Sequence, residues 1–265
     1  MKKDVNLQKL KGKLSRGESV YGIATAFHSE IIIEMVGYVG FDYIFIDTQH
    51  SPIGSDLVLE SLIRAAEVVN LVPIVRVKEN EDYFIRIAIE SGAKGIVIPR
   101  VSTKCDIEKA IKSAKFPTRH GNPSVRAAKY GLGDSNWEEY VKLSNDEVMI
   151  IPLVEDKKGI DNLDEIISVE GISAISFGPT DYALSLGLSI NGGYGNPIID
   201  EPYYKLLKAA KIKNIPVLDA FKPETAEQSR KLSKLGMTMQ LVGSDKKIIT
   251  NGLKSIMENI IKKVN

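Results

Sequence analysis

The chain has 265 residues, 43% of them hydrophobic, enough to bury a core in one large domain or two small ones. Its 35 basic and 34 acidic residues leave a formal net charge of +1, which excludes a net field drawing the protein onto nucleic acid or a membrane surface. A single cysteine, Cys105, excludes an internal disulfide, and no apolar run approaches the roughly 20 residues of a membrane span, so a cytoplasmic protein is expected.

The first residues, "MKKDVNLQKLKGKLSRGE", are basic without an apolar centre, unlike a secretory signal. Residues 5–16 read as a helix. A short apolar, β-branched run follows, "VYGIATA" (20–26), then a helical pattern at 29–40 that stops at a Gly. The same alternation repeats. "YIFIDT" (43–48) precedes a Ser-capped helix at 55–69, and "VPIVRV" (72–77) precedes a helix at 81–95 that ends at Gly92. "KGIVIPR" (94–100) precedes a helix at 104–115. Residues 115–136 break the rhythm with a long polar, Gly-rich connection, the kind that serves function or an interface. "VMIIPLVE" (148–155) leads to a helix at 158–171, and "ISAISFG" (172–178) to a second irregular segment at 187–202. A helix at 202–214, "IPVLDAF" (215–221), a helix at 223–236 and "MTMQLVG" (237–243) complete the series. Residues 245–264 form a Lys-rich amphipathic helix that either closes the core or packs on a neighbouring subunit.

The eight strand candidates are almost continuously apolar, as in parallel sheets buried on both faces. Eight such units predict an α/β fold, a (β/α)8 TIM barrel forming one domain over residues 1–265, with residues 5–16 covering its bottom. An open doubly wound sheet is the alternative. No Gly-rich dinucleotide fingerprint follows the first strand, which weighs against it.

In such a barrel the chemistry sits at the carboxyl ends of the strands. The first strand runs into Thr25 and His28, the second ends in Asp47 and His50, and the third in Arg76. The fifth ends in Glu155, the sixth in "GPTD" (178–181), and the seventh in Asp219. Glu155 and Asp181 are a candidate Mg²⁺ or Mn²⁺ pair, because hard cations take carboxylate oxygens; a loop Glu and a capping Asp would look the same. "GPTD" offers backbone amides at a helix start, a cradle for carboxylate or phosphate. Arg76 supplies a permanent charge suited to a carboxylate or a developing oxyanion, or else a structural ion pair. His50 is a candidate general base, with Asp47 placed to orient it. His120 reads as a loop residue and Cys105 as packing. No strand-end lysine suits a Schiff base; Lys78 lies just past Arg76.

With these residues in view, the sequence resembles the HpcH/HpaI aldolase family, metal-dependent class II pyruvate aldolases that include 4-hydroxy-2-oxoheptanedioate and 2-keto-3-deoxyglucarate-type enzymes. The resemblance runs from about Gly22 to Gly243 on "FIDTQH", "PIVRV", "SGAKGIVIPRVST", "LVEDKKGIDNLDEI", "VEGISAISFGPTDYALSLG" and "LVGSD", in that order. It implies an aldehyde-lyase that reversibly cleaves a 4-hydroxy-2-oxo acid to pyruvate, or a close 2-oxo acid, and an aldehyde. By position, His50 matches the catalytic base, Arg76 the arginine on the pyruvate oxygen, and Asp47 the acid at the second strand end. Glu155 and Asp181 match the metal ligands, for Mg²⁺ or Mn²⁺ with Co²⁺ also compatible. Gly178, Pro179, Thr180 and Asp181 match the loop whose amides hold the pyruvate carboxylate. Glu90 matches an acid that supports the histidine of a neighbouring subunit. The resemblance further implies a homohexamer, a trimer of dimers, with small-molecule substrates only. Gln49 stands where many members have Glu, and Glu90 where some have Asp. Two other readings stay open: an acyl-CoA lyase of the citramalyl- or malyl-CoA kind, and an oxo-acid-binding barrel without turnover.

Overall fold

The computed structural model describes residues 3–52, 56–132, 137–189, 195–219, 223 and 225–264. Eight parallel strands close into one barrel in sequence order, β1 pairing with both β2 and β8. They are β1 (Val20–Thr25), β2 (Tyr43–Asp47), β3 (Val72–Arg76), β4 (Gly95–Ile98), β5 (Met149–Val154), β6 (Ile175–Phe177), β7 (Val217–Asp219) and β8 (Met239–Ser244). The closed sheet meets the expected TIM barrel.

Side-chain alternation divides the apolar residues into two cores. On β2, Tyr43 and Phe45 face the barrel interior, while Ile44 and Ile46 face the helices. On β5, Met149, Ile151 and Leu153 point inward, and Ile150 and Val154 outward. Both faces are therefore apolar, which explains the unbroken hydrophobic runs. The interior is filled rather than hollow. Tyr43 is fully buried, and a Cβ on Gly22 would lie 2.4 Å from its ring, so β1 leaves out a side chain where the ring lies.

Helix α1 (Val5–Ser15) plugs the amino-terminal end, its Leu7 and Leu10 buried in the interior cluster. Asp4 caps it, accepting from Leu7 N at 2.9 Å, and its own amide donates to Glu147 Oε1 at 2.6 Å. Lys94 Nζ lies 3.4 Å from Asp4 and 3.6 Å from Glu147, tying the plug to the barrel. The outer layer comprises α2 (Glu30–Val39), α3 (Asp56–Val68), α4 (Asp82–Glu90), α5 (Lys104–Ala114), α6 (Trp137–Glu147), α7 (Lys157–Asp161), α8 (Leu163–Ile167), α9 (Pro179–Ser185), α10 (Pro197–Ile212), α11 (Ala226–Lys234) and α12 (Asp245–Ile256).

Several boundaries differ from those expected. Helix 158–171 is two short helices broken at Asn162, whose φ of −93° and ψ of 12° leave the helical range. Helix 202–214 starts at Pro197, capped by Asn196, and carries Pro202 in its interior instead of at its start. The long connection yields a 3₁₀ turn (Arg126–Gly131) before α6. That turn is clamped to the outer helices by the Arg126–Glu67 ion pair and by Arg64 Nη2 donating to Tyr130 Oη at 2.9 Å. The terminal helix continues through a π-helical turn (Met257–Ile261). It does not close the barrel: Ile248, Leu253, Ile256 and Ile260 are exposed, and only Asp245 is buried. Cys105 is likewise exposed rather than packed. Ser55, residues 190–194 of the second irregular segment, and 220–221 of the seventh strand candidate lie outside the described residues. No helix among the described residues is long and apolar enough to cross a membrane.

Candidate active site

The inward rows of the strands do not stop at the top of the core. On β2 the row Tyr43, Phe45 continues to Asp47; on β3 Val72, Ile74 continues to Arg76; on β5 Met149, Ile151, Leu153 continues to Glu155. Period-2 alternation alone turns these three polar side chains over the barrel axis.

Asp47 and Arg76 form a bidentate pair. Nε donates to Oδ1 at 3.0 Å and Nη2 to Oδ2 at 2.7 Å, with both side chains largely buried. The guanidinium stands over the Phe45 ring, 5.8 Å from its centroid. Burial pushes the Asp47 carboxyl upward. The hydrogen bond and charge of Arg76, with the amides of His50 and Gln49, more than reverse this and hold it below the ordinary value.

Those amides, 3.0 Å from Gln49 and 3.3 Å from His50, wind the loop around Asp47 Oδ1. Asp47 therefore positions Arg76 and the His50 backbone; it does not orient the imidazole, as the sequence suggested. The His50 side chain is exposed on the rim. Gln49 Oε1 is buried with no hydrogen-bond partner among the described residues.

Glu155 is only 4% exposed. Its Oε1 accepts from Arg100 N at 2.7 Å, and its Oε2 is buried without a hydrogen-bond partner among the described residues. Burial raises this carboxyl to about 7; the Arg100 amide and the charges of Arg76 and Arg100 oppose that, and Asp181 adds to it. Gly178 explains how the unpartnered oxygen is accommodated. A Cβ there would lie 2.6 Å from Glu155 Cβ and 2.9 Å from Oε2. A buried, unpaired carboxylate oxygen beside a second carboxylate, with a side chain omitted next to it, is costly unless a cation balances it. The donor set fits a hard divalent ion. No group of three or more His, Cys, Asp or Glu stands together among the described residues, which speaks against a protein-built zinc cage.

The chain has relatives both in sequence and among solved structures. The family model described as HpcH/HpaI aldolase/citrate lyase matches residues 24–252. The chain belongs to this family. The 5-keto-4-deoxy-D-glucarate aldolase of Escherichia coli O6:H1 is 29% identical over 265 residues, 99% of this chain and 100% of the relative. Among solved structures, citrate synthase SbnG is 27% identical with a TM-score of 0.82, covering 96% of this chain and 98% of that one. An HpcH/HpaI aldolase/citrate lyase family protein from Burkholderia cenocepacia J2315 is 25% identical with a TM-score of 0.84, covering 95% and 98%. The chain is a carbon–carbon lyase of the aldolase kind.

Within that family frame the fold gathers Asp47, His50, Arg76, Glu155 and the Gly178–Asp181 turn at one end of the barrel. The turn differs in one respect from the expected cradle. Gly178 N already donates to Val154 O at 2.9 Å, and Pro179 has no N–H, so Thr180 and Asp181 carry the available amides. Glu90 is not brought to the rim of its own barrel. It ends α4, just before the chain re-enters the sheet from the amino-terminal side, and pairs with Arg86 at 3.1 Å.

Two residues escaped the sequence reading. Arg100 adopts a positive φ of 55°, a conformation that strains a non-glycine residue by about 1 kcal/mol and that accompanies the amide contact to Glu155. Asp245, 3% exposed, accepts from Thr25 Oγ1 (2.7 Å), Ala26 N (2.8 Å) and Phe27 N (2.9 Å), pinning the loop that carries His28. "GSD" at the start of a helix was the available signal for Asp245; nothing local marks Arg100.

Proposed function

We propose that this aldolase is divalent-metal-dependent and cleaves a 4-hydroxy-2-oxo acid to pyruvate, or a close 2-oxo acid, and an aldehyde. The observation that carries the reading is the unpartnered, buried Glu155 Oε2 beside Asp181, across the rim from the anchored Arg76. A Mg²⁺ or Mn²⁺ ion held by Glu155 and Asp181, with Co²⁺ as a compatible substitute, would supply Lewis-acid stabilisation of negative charge. The amides of Thr180 and Asp181 bind the carboxylate of the 2-oxo acid. His50 removes the proton of the C4 hydroxyl. The C3–C4 pair then moves into the C2–C3 bond as the C4–O bond becomes the aldehyde carbonyl. Charge collects on the C2 oxygen, where the Arg76 guanidinium meets it. The proton returns to C3 and gives pyruvate. Asp47 keeps Arg76 in register throughout.

Glu90 supports the histidine of a neighbouring subunit in the hexamer, a trimer of dimers, that family resemblance implies. Exposed apolar side chains on α2 (Ile31, Met35, Tyr38, Val39) and on the terminal helix support an oligomer. A single cysteine, which rules out an internal disulfide, suits a reducing cytoplasmic setting. The test is a pyruvate-release assay over 4-hydroxy-2-oxo acids, with citramalyl- and malyl-CoA as the competing substrates. Equimolar pyruvate and aldehyde support the reading. Turnover of the thioesters alone moves the chain to the acyl-CoA lyases, and tight pyruvate binding without turnover makes it a binding barrel.

A further inference from the structure

We infer that Asp245 is a positioning residue for carbon–carbon cleavage, holding the barrel mouth on the side where the aldehyde half departs. The inference rests on the aldolase reading above. Met239 and Leu241 of β8 point inward, so plain alternation would turn Asp245 over the barrel axis with Asp47, Arg76 and Glu155. A bulge prevents this. Gly22 pairs with Leu241, but Ile23 pairs with Gly243, which leaves Val242 as an extra residue in β8. The phase reverses at that point. Ile23 belongs to the helix-side core, and a Cβ on Gly243 would lie 3.1 Å from it. Ser244 then pairs with Ala24, and Asp245 is delivered behind β1, beside Thr25.

There its carboxylate is an anion enclosed by the chain's own donors. Oδ2 accepts from Thr25 Oγ1 at 2.7 Å and from the successive amides of Ala26 (2.8 Å) and Phe27 (2.9 Å). Oδ1 accepts from Lys246 N at 2.6 Å. Consecutive amides turned onto one oxygen form an anion nest, and the start of α12 adds its dipole. Thr25 is fully buried and Asp245 nearly so. Asp245 is the one residue that α12 buries, and it lies against a loop rather than in the apolar core.

The loop it holds, Ala26 to His28, joins β1 to α2, whose cap Ser29 accepts from Ile32 N at 3.4 Å. In the sheet Thr25 stands opposite Ile46, the residue before Asp47. His50, just after β2, takes the C4 hydroxyl proton in the proposed reaction, so the aldehyde half lies toward β1 and β2. The 2-oxo acid half lies at Arg76, Glu155 and Asp181, which follow from β3, β5 and β6. In a closed eight-strand barrel β5 stands across the mouth from β1. Asp245 therefore bears on one half of the reaction: a loosened loop lets the C4 hydroxyl drift from His50 and leaves the enolate half in place.

The test compares Mn²⁺-loaded wild type, Asp245→Asn and Asp245→Gly in two assays. One is cleavage of the 4-hydroxy-2-oxo acid that wild type turns over fastest; the other is exchange of the pyruvate methyl hydrogens with solvent deuterium. The expected result is a fall of roughly 10- to 100-fold in kcat for cleavage in both variants, with exchange at the wild-type rate. Acetate, which matches the side chain removed in Asp245→Gly, should restore cleavage there, and chloride at equal ionic strength should not. Circular dichroism establishes that each variant is folded at the assay temperature. Where Asp245→Gly does not fold, Thr25→Val removes one donor, keeps the carboxylate and should show the same split, which Thr25→Ser should restore. Unchanged cleavage, equal losses in both assays, or cleavage that ignores acetate overturns the inference. Wild type that neither cleaves nor exchanges overturns the aldolase reading instead.

Discussion

Gly178 and Glu155 occupy adjacent strand ends so closely that a methyl group on the first would lie 2.9 Å from the free carboxylate oxygen of the second. The missing side chain therefore leaves room for a ligand at Glu155 Oε2. Gly178→Ala should fold, because φ at this position is −104° and ordinary for alanine. Its Mn²⁺ affinity, measured by calorimetric titration, should fall at least tenfold as Glu155 is pushed from its place.

Asp47→Asn keeps the shape of the Arg76 anchor and removes its charge. Arg76 then loses a bidentate, charge-assisted partner of about 1.5–3 kcal/mol. We expect kcat/KM for pyruvate formation to drop by roughly 10- to 100-fold with little change in metal affinity. Because the folded-state carboxyl is held below its ordinary value, its contribution to stability is present above the unfolded pKa near 3.8 and is lost as pH falls through the lower, folded one. Acid unfolding of the wild type followed by circular dichroism should show this loss below about pH 4, and Asp47→Asn should lack it.

Glu155 behaves in the opposite sense. Its carboxyl is raised to about 7 in the metal-free fold, against 4.5 unfolded. Between those values the native state binds the extra proton, so metal-free stability decreases as pH rises from about 4.5 to about 7 and stays low above it. The full effect is on the order of 3 kcal/mol. Glu155→Gln should therefore raise the melting temperature of metal-free protein at pH 8 while abolishing metal-dependent turnover. Divalent-ion affinity of the wild type should weaken as pH drops below 7, where the proton competes for Oε2.

Gly22→Ala tests the interior packing. The new Cβ would lie 2.4 Å from the fully buried Tyr43 ring, so the ring has to shift within a close-packed interior. A destabilisation of about 1–3 kcal/mol is expected in urea unfolding, without a change in metal affinity.

The barrel was legible in the sequence because both faces of each strand are apolar, and alternation then carried Asp47, Arg76 and Glu155 inward. The candidate residues at the ends of β2 and β3 and just after β5 were readable for the same reason. What the sequence hid depended on contacts between distant segments. The role of Asp47 became visible only with Arg76 across the strand pair, 29 residues away. Gly178 N had to be seen donating to β5 before the cradle narrowed to Thr180 and Asp181. Arg100 sits in an ordinary "VIPRV" run, and its left-handed backbone follows from the meeting of the β4 and β5 loops, 55 residues apart. Helix α10 begins earlier than its pattern suggests, because Pro202 looks like a first-turn proline while Asn196 and Pro197 form the actual start. Helix α6 is hard to see in the sequence because its apolar stripe is short: Tyr140 is the one large apolar residue it buries.

The proposed reaction turns on a pyruvate enolate formed on the protein with help from a divalent ion at Glu155 and Asp181. The most direct measurement is solvent-deuterium incorporation into the methyl group of pyruvate, with and without EDTA, followed by borohydride treatment and mass spectrometry. We expect exchange that stops with EDTA, returns with Mn²⁺, is absent in Glu155→Gln, and leaves no reduced adduct on the chain. Exchange that survives EDTA, or a pyruvate adduct trapped on a lysine such as Lys78, would contradict the account.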